Sequence, residues 1–250
     1  MTYRSAVPLA LACVCLMAVA GHYDGAVTAQ SAARPRLLVK PAADFEVNGK
    51  GDAPAWQQTE WTALRRRQPD GHPYESRFKV LYSTTGLYFL LDGTDRTLTA
   101  TMNEDFMDLW NEDVFEVFLW TDERHPLYFE YQISPLNREL AILVPNFGGQ
   151  FLGWRPWHYE RDRVTRKSTA TAGGPKTPHG AIDGWRAEVF VPYALLKPLQ
   201  NVPPRPGMVW RANFYRMDHD AGKRTQWEWA PVGESFHEYQ KFGDLVFAER

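Results

Sequence analysis

The residues best suited to do chemistry lie in one segment, Leu109-Trp110-Asn111-Glu112-Asp113-Val114-Phe115-Glu116-Val117-Phe118. On a strand, side chains alternate between faces, so Val114, Glu116, Phe118 and Trp120 share one face while Phe115, Val117 and Leu119 take the other. Glu116 is then a carboxylate on a largely apolar face. Buried without a partner it would cost several kcal/mol, roughly, so it must meet a cation or line a ligand-filled cleft. Arg216 and Arg211 are the candidate partners if the role is structural. Trp110 precedes the strand, where an exposed indole can reach over the mouth of such a cleft or plug the rim of the core.

Other constellations carry weaker signals. Glu112, Asp113, Glu116 and Glu130 are the candidate carboxylates of a sandwich glycoside hydrolase, which needs two of them close together. No run of acids at alternate positions of one strand occurs. The histidines at 72, 125, 158, 179, 219 and 237 lack the spacing of a zinc site. A haem-binding redox sandwich would take a His and a Met as axial ligands, and Met102, Met107, Met217 and His237 are the residues it would recruit. Asp218 and Asp220 flank His219 in what reads as a solvated polar loop or, alternatively, a cation site. The Gly-Gly pairs at 148–149 and 173–174 lack the strand–turn–helix setting of a phosphate loop.

The elements that must position these residues read with a period of two. Residues 78–83 and 87–92 flank Thr84-Thr85-Gly86 and form a β-hairpin. Further strands are expected at 113–120, 127–134, 140–145, 164–172, 185–191, 209–217, 226–230 and 244–247, with one helical turn at Tyr193-Ala194-Leu195-Leu196. Short, regularly spaced strands without alternating helices imply an all-β, antiparallel sandwich of two packed sheets, jelly-roll or immunoglobulin-like. No internal repeat or second domain is visible.

The chain has 250 residues, and 28 basic against 30 acidic side chains leave it near neutral. Arg65-Arg66-Arg67 is the only basic run and reads as solvated surface, so no nucleic-acid partner is expected. Ten Trp, eleven Tyr and fourteen Phe exceed ordinary core needs and suggest surfaces on which sugar rings stack. At the N-terminus, Arg4, an apolar stretch over residues 6–20 and Val27-Thr28-Ala29 have the form of a secretory signal peptide over 1–29. Residues 30–40 then lead into a single domain over 41–250. Cleavage would remove both cysteines, Cys13 and Cys15, leaving a secreted or periplasmic monomer without disulfides or a membrane span.

Four stretches and the C-terminal close together resemble the family 9 carbohydrate-binding modules. Val47-Asn48-Gly49-Lys50-Gly51-Asp52-Ala53-Pro54-Ala55-Trp56 is similar to the family's opening I-D-G-x-x-D-E-x-W, and the hairpin from Lys79 to Asp92 to its V-x-x-L-Y-D segment. Residues 110–118 follow W-x-x-D-x-V-E-I-F. Trp185-Arg186-Ala187-Glu188 follows W-x-x-E, and Phe236-His237-Glu238-Tyr239-Gln240-Lys241-Phe242-Gly243-Asp244-Leu245 follows the terminal F-G-x-L. The resemblance implies non-catalytic binding of oligosaccharide or polysaccharide ends, of plant type, in a slot between two aromatic rings. It puts Trp110 on the first ring, Phe236 on the second and Glu116 on a hydrogen-bonding carboxylate. Gln132 and Ser134 stand where the family has an arginine and an asparagine, and Arg216 is the residue expected to orient Glu116. It also implies structural calcium, for which Asp52, Asp218 and Asp220 are weak candidate ligands, Asn48 replacing the usual aspartate.

Overall fold

Alternating side chains settle as strands where the apolar half can face a second sheet. The computed structural model describes residues 33–249. The expected signal peptide, with Cys13 and Cys15, lies outside the described residues. Among the described residues the strands are β1 (Arg36–Pro41), β2 (Thr62–Ala63), β3 (Arg65–Arg66), β4 (Ser76–Tyr82), β5 (Gly86–Thr94), β6 (Val114–Trp120), β7 (Leu127–Ile133), β8 (Glu139–Phe147), β9 (Gln150–Phe151), β10 (Arg155–Pro156), β11 (Arg166–Ala172), β12 (Gly184–Pro192), β13 (Val209–Asp218), β14 (Thr225–Glu228) and β15 (Gly243–Phe247). Each strand expected from the sequence appears, with small shifts at its ends. The helical turn α1 falls at Tyr193–Leu196.

One layer runs β10-β8-β7-β6-β13-β15 and the other β4-β5-β12-β11. Pairing within each is antiparallel. β1 joins them: Arg36 to Val39 pair in parallel with β15, and Lys40 and Pro41 pair in parallel with β4. Residues 36–40, expected to lie outside the domain, are therefore part of its sheet. Pro35 and Pro41 bracket so short a run that its alternation is barely visible. Its partner β15 is also the last strand, so nothing local signals the pairing.

Phe115, Val117 and Leu119 of β6 point between the layers, as alternation requires, alongside Phe214 of β13 and Phe78, Phe89 and Val189 of the other layer. Phe78 and Phe214 stack across the gap at 3.9 Å between centroids. Five of the ten tryptophans (Trp56, Trp120, Trp185, Trp210 and Trp227) are buried. Much of the aromatic excess is thus core, and composition alone was a poor guide to a stacking surface. Arg65 and Arg67 are not simply solvated either. Both bind the buried Glu228, with Arg67 Nη1 2.7 Å from its Oε2.

Two of the sequence motifs meet on the outer face of β12. The carboxylate of Glu188, fully buried, accepts hydrogen bonds from the backbone N–H of Asn48 (2.8 Å) and Gly49 (2.9 Å) and from Trp56 Nε1 (2.7 Å). Gly49 has φ of +82°, and a Cβ there would come within 2.9 Å of Ser168 Oγ, so the tight approach requires glycine. The Asn-Gly…Trp opening and the Trp-x-x-Glu strand are therefore one structural unit that fastens residues 42–56 to the sandwich. Glu188→Gln would set an amide N–H₂ against a donor. The expected loss is on the order of 2 kcal/mol in urea denaturation, and an unchanged midpoint would refute this role.

Candidate functional site

A cleft of about 400 Å³ opens on the outer face of the β6–β7–β13 layer. Its floor comes from the outward positions of β6 and β7. Glu116 and Gln132 are cross-strand neighbours, with Glu130 and Phe118 paired two residues along. All three polar residues are almost wholly buried. Gln132 Nε2 donates to Glu130 Oε1 at 2.6 Å. Glu116 Oε2, Glu130 Oε2 and Gln132 Oε1 have no hydrogen-bond partner, and His237 Nδ1 stands 3.9 Å from Glu130 Oε2. Burial drives both carboxyls upward in pKa, Glu116 well above the usual range with the Glu130 charge adding to the effect. Glu130 rises to about 8, opposed by its bond from Gln132.

The walls are aromatic. Trp110 rides on a 3-10 turn, Leu109–Asn111, anchored by fully buried Leu109. The Glu112 carboxylate fixes the preceding loop by accepting from Thr101 N (2.6 Å) and Met102 N (3.0 Å). Trp154 meets Trp110 edge to face at 5.6 Å, and with Phe151 it reaches the cleft from the segment after β8. His237 lines the cleft as well. Its ring stacks on Phe151 at 4.1 Å, its Nδ1 lies 2.5 Å from the Tyr128 hydroxyl, and burial pushes its pKa down to about 4, so the ring is neutral.

Of the residues the sequence singled out, Trp110, Glu116, Gln132 and Phe236 line this cleft together. Phe236 does so in an altered role. Tyr215 stacks on it at 4.0 Å and 8°, and the Arg67 guanidinium sits over the ring 5.0 Å from its centroid. Its ring is thus engaged by the protein itself, whereas Trp154 lines the cleft beside Trp110. Ser134 is not in the cleft. It lies in the turn after β7, where its hydroxyl accepts the Arg138 N–H at 3.3 Å. Met217 and His237 also line the cleft. Trp154 and Phe151 were missed as cleft residues, since the short stretch after β8 has too little periodicity to assign them a face; Glu130, weighed only as a glycosidase carboxylate, lines the cleft as well.

Arg216 does not touch Glu116. In the register of β6 and β13, Tyr215 lies opposite Glu116 and Arg216 opposite Phe115, so Arg216 points between the layers. There its Nη2 is 2.9 Å from both Asp95 Oδ2 and Asp218 Oδ2. Arg211, the other candidate, binds the carbonyl of Phe242 and Glu123. No cation was found for Glu116 among the described residues.

Asp218 and Asp220 are buried rather than in a solvated loop, and Asp218 clusters with Asp95 and Asp113. This donor set does not fit calcium. Arg216 already bridges two of its oxygens, and the other four accept backbone N–H groups: Arg96 and Thr97 on Asp95, Thr99 and His219 on Asp113, Asp220 on Asp218. Asp52 is elsewhere, accepting from the Asn48 amide at 2.8 Å. Asp220 Oδ2 accepts from the Tyr74 hydroxyl at 2.5 Å.

Comparison with known proteins gives the chain a context. Residues 47–140 match the family model "Carbohydrate family 9 binding domain-like". No curated protein sequence matches the chain. A candidate carbohydrate-binding protein from Bacteroides uniformis superposes with a TM-score of 0.69 at 16% identity, covering 86% of this chain and 100% of that one. A family 9 carbohydrate-binding module from Caldicellulosiruptor kristjanssonii, in complex with cellotriose, gives 0.61 at 16% identity over 86% and 95% of the two chains. The same organism's module in complex with glucose gives 0.60 at 16% over 86% and 97%. In sequence over residues 47–140, and in fold over 86% of its length, this chain matches the family 9 carbohydrate-binding modules.

Proposed function

We propose that this protein binds carbohydrate without cleaving it, holding a sugar ring at the end of an oligosaccharide or polysaccharide in the cleft on the β6–β7–β13 face. The observation that carries this reading is a wedge of two indoles, Trp110 and Trp154, above a polar floor with open acceptor oxygens. Pyranose C–H faces pack on indole, and sugar hydroxyls, which both donate and accept, can pair with the open oxygens of such a floor. The cellotriose and glucose complexes of the similar modules are consistent with a glucan-type ligand.

Catalysis is disfavoured by charge. A retaining glycosidase needs one ionised carboxylate as nucleophile beside a protonated acid. Here burial holds both Glu116 and Glu130 toward the protonated form at neutral pH. Glu112 and Asp113 are engaged by backbone N–H groups.

Export is part of the proposal, resting on Arg4 and the apolar stretch over residues 6–20. No helix of the described residues is long and apolar enough to cross a membrane. A monomeric state is part of the same proposal.

A ligand that binds only the native state raises the melting temperature. Thermal shift against glucose and cello-, xylo- and manno-oligosaccharides, repeated at rising concentration, is expected to give a saturable increase for at least one series. A melt unmoved by every glycan at millimolar concentration would sink the reading.

A further inference from the structure

The cleft floor has an unusual balance for a site that takes neutral sugars. Three oxygens, Glu116 Oε2, Glu130 Oε2 and Gln132 Oε1, are buried without a hydrogen-bond partner, the neutral His237 ring standing 3.9 Å from Glu130 Oε2, while the neighbouring amide nitrogen of Gln132 is turned toward Glu130. Glu234 adds a third carboxylate at the rim, and no lysine or arginine lines the cleft. The nearest guanidinium is that of Arg67 over Phe236, and it is paired with Glu228 at 2.7 Å. Arg216 and Arg211 are engaged elsewhere. In the empty cleft burial holds Glu116 and Glu130 toward the protonated form, and a seated cation would favour their ionised form, with proton release on binding.

The walls favour a cation as well. Trp110 and Trp154 line the same space, and an ammonium over an indole face is attracted by the ring quadrupole. An ammonium also brings three N–H donors, the number of open acceptors on the floor.

We propose that the preferred ligand is an amino sugar with a free, protonated amine, its ammonium seated between Glu116, Glu130 and Gln132 while its ring packs on Trp110 and Trp154. This rests on the carbohydrate-binding reading and narrows it to the deacetylated hexosamines, as in chitosan ends.

The test is calorimetry of the full mature chain at pH 6 and low salt with three disaccharides of like size: chitobiose with free amines, N,N′-diacetylchitobiose and cellobiose. Chitobiose is expected to bind at least about tenfold more tightly than either other sugar, since charge-assisted hydrogen bonds are roughly twice as strong as neutral ones. The preference should shrink in 0.5 M salt. Glu130→Gln, which keeps the side-chain shape, is expected to erase most of it, with an unchanged far-UV spectrum as the folding control. Cellobiose or the diacetyl sugar binding as tightly as chitobiose overturns the amino-sugar assignment and leaves the carbohydrate reading standing. Failure of all three to bind, together with silence across the neutral glycan panel, overturns both. The wild-type ranking decides the question even if the variant does not fold.

Discussion

Arg216→Leu is expected to lose about 3–5 kcal/mol of folding stability at pH 8, the scale seen when one partner of a buried ion pair is removed. Arg216 is wholly buried between the layers. It donates to the Thr94 carbonyl at 2.7 Å, bridges Asp95 and Asp218, and lies over Phe115 and Trp227. Without it, Asp95, Asp113 and Asp218 would be close together with no counter-charge.

Burial already raises these carboxyls. Asp95 stands at about 7, opposed by Arg216, and Asp113 at about 9, pushed further by the Asp95 and Asp218 charges. For an acid whose folded pKa is raised, the favourable contribution is full below the unfolded value near 3.8. It is lost as pH rises through the window up to the folded value. Wild-type stability should therefore fall between about pH 4 and pH 9 through these two groups. Removing Arg216 raises the pKa of Asp95 and Asp218 further and extends the loss upward. The gap between variant and wild type should thus be wider at pH 8 than at pH 5, read from urea denaturation at both. A gap below about 1 kcal/mol at pH 8, or one that does not grow with pH, would show that the triad does not depend on this arginine.

Trp110→Ala is expected to weaken binding of the best sugar ligand by roughly 30-fold, about 2 kcal/mol, by removing one stacking wall. The fold should survive, because buried Leu109 and the Glu112 contacts to Thr101 and Met102 hold the turn without the indole. Trp154→Ala should act similarly, since the two rings form one wedge. Phe236→Ala should affect affinity less and stability more, its ring being stacked on Tyr215 with Arg67 over it. Calorimetry of the three variants gives the ranking. Wild-type affinity in Trp110→Ala would move the binding site elsewhere, and a dominant Phe236 effect would restore the ring that the family resemblance singled out.

Read alone, the sequence determined the strands, because period-two alternation is local, and it determined the faces of β6 for the same reason. Glu116 was legible as a carboxylate on an outward apolar face, and Trp110 as a ring at the cleft mouth. What Glu116 meets was not legible. Its neighbours Gln132 and Tyr215 are set by the register of β6 with β7 and β13, and register is a non-local property. A one-residue difference there sends Arg216 inward to Asp95 and Asp218 instead of outward to Glu116, and so removes the cation from the cleft. Tertiary structure likewise decided that Asn48, Gly49 and Trp56 serve Glu188, well over a hundred residues away. It decided too that Trp154 lines the cleft beside Trp110, while Phe236 is stacked on Tyr215. Irregular segments have no period, so only packing gives their side chains a direction. The floor of Glu116, Glu130 and Gln132 beside Trp110 exists only once β6, β7 and the loops that carry the indoles have come together.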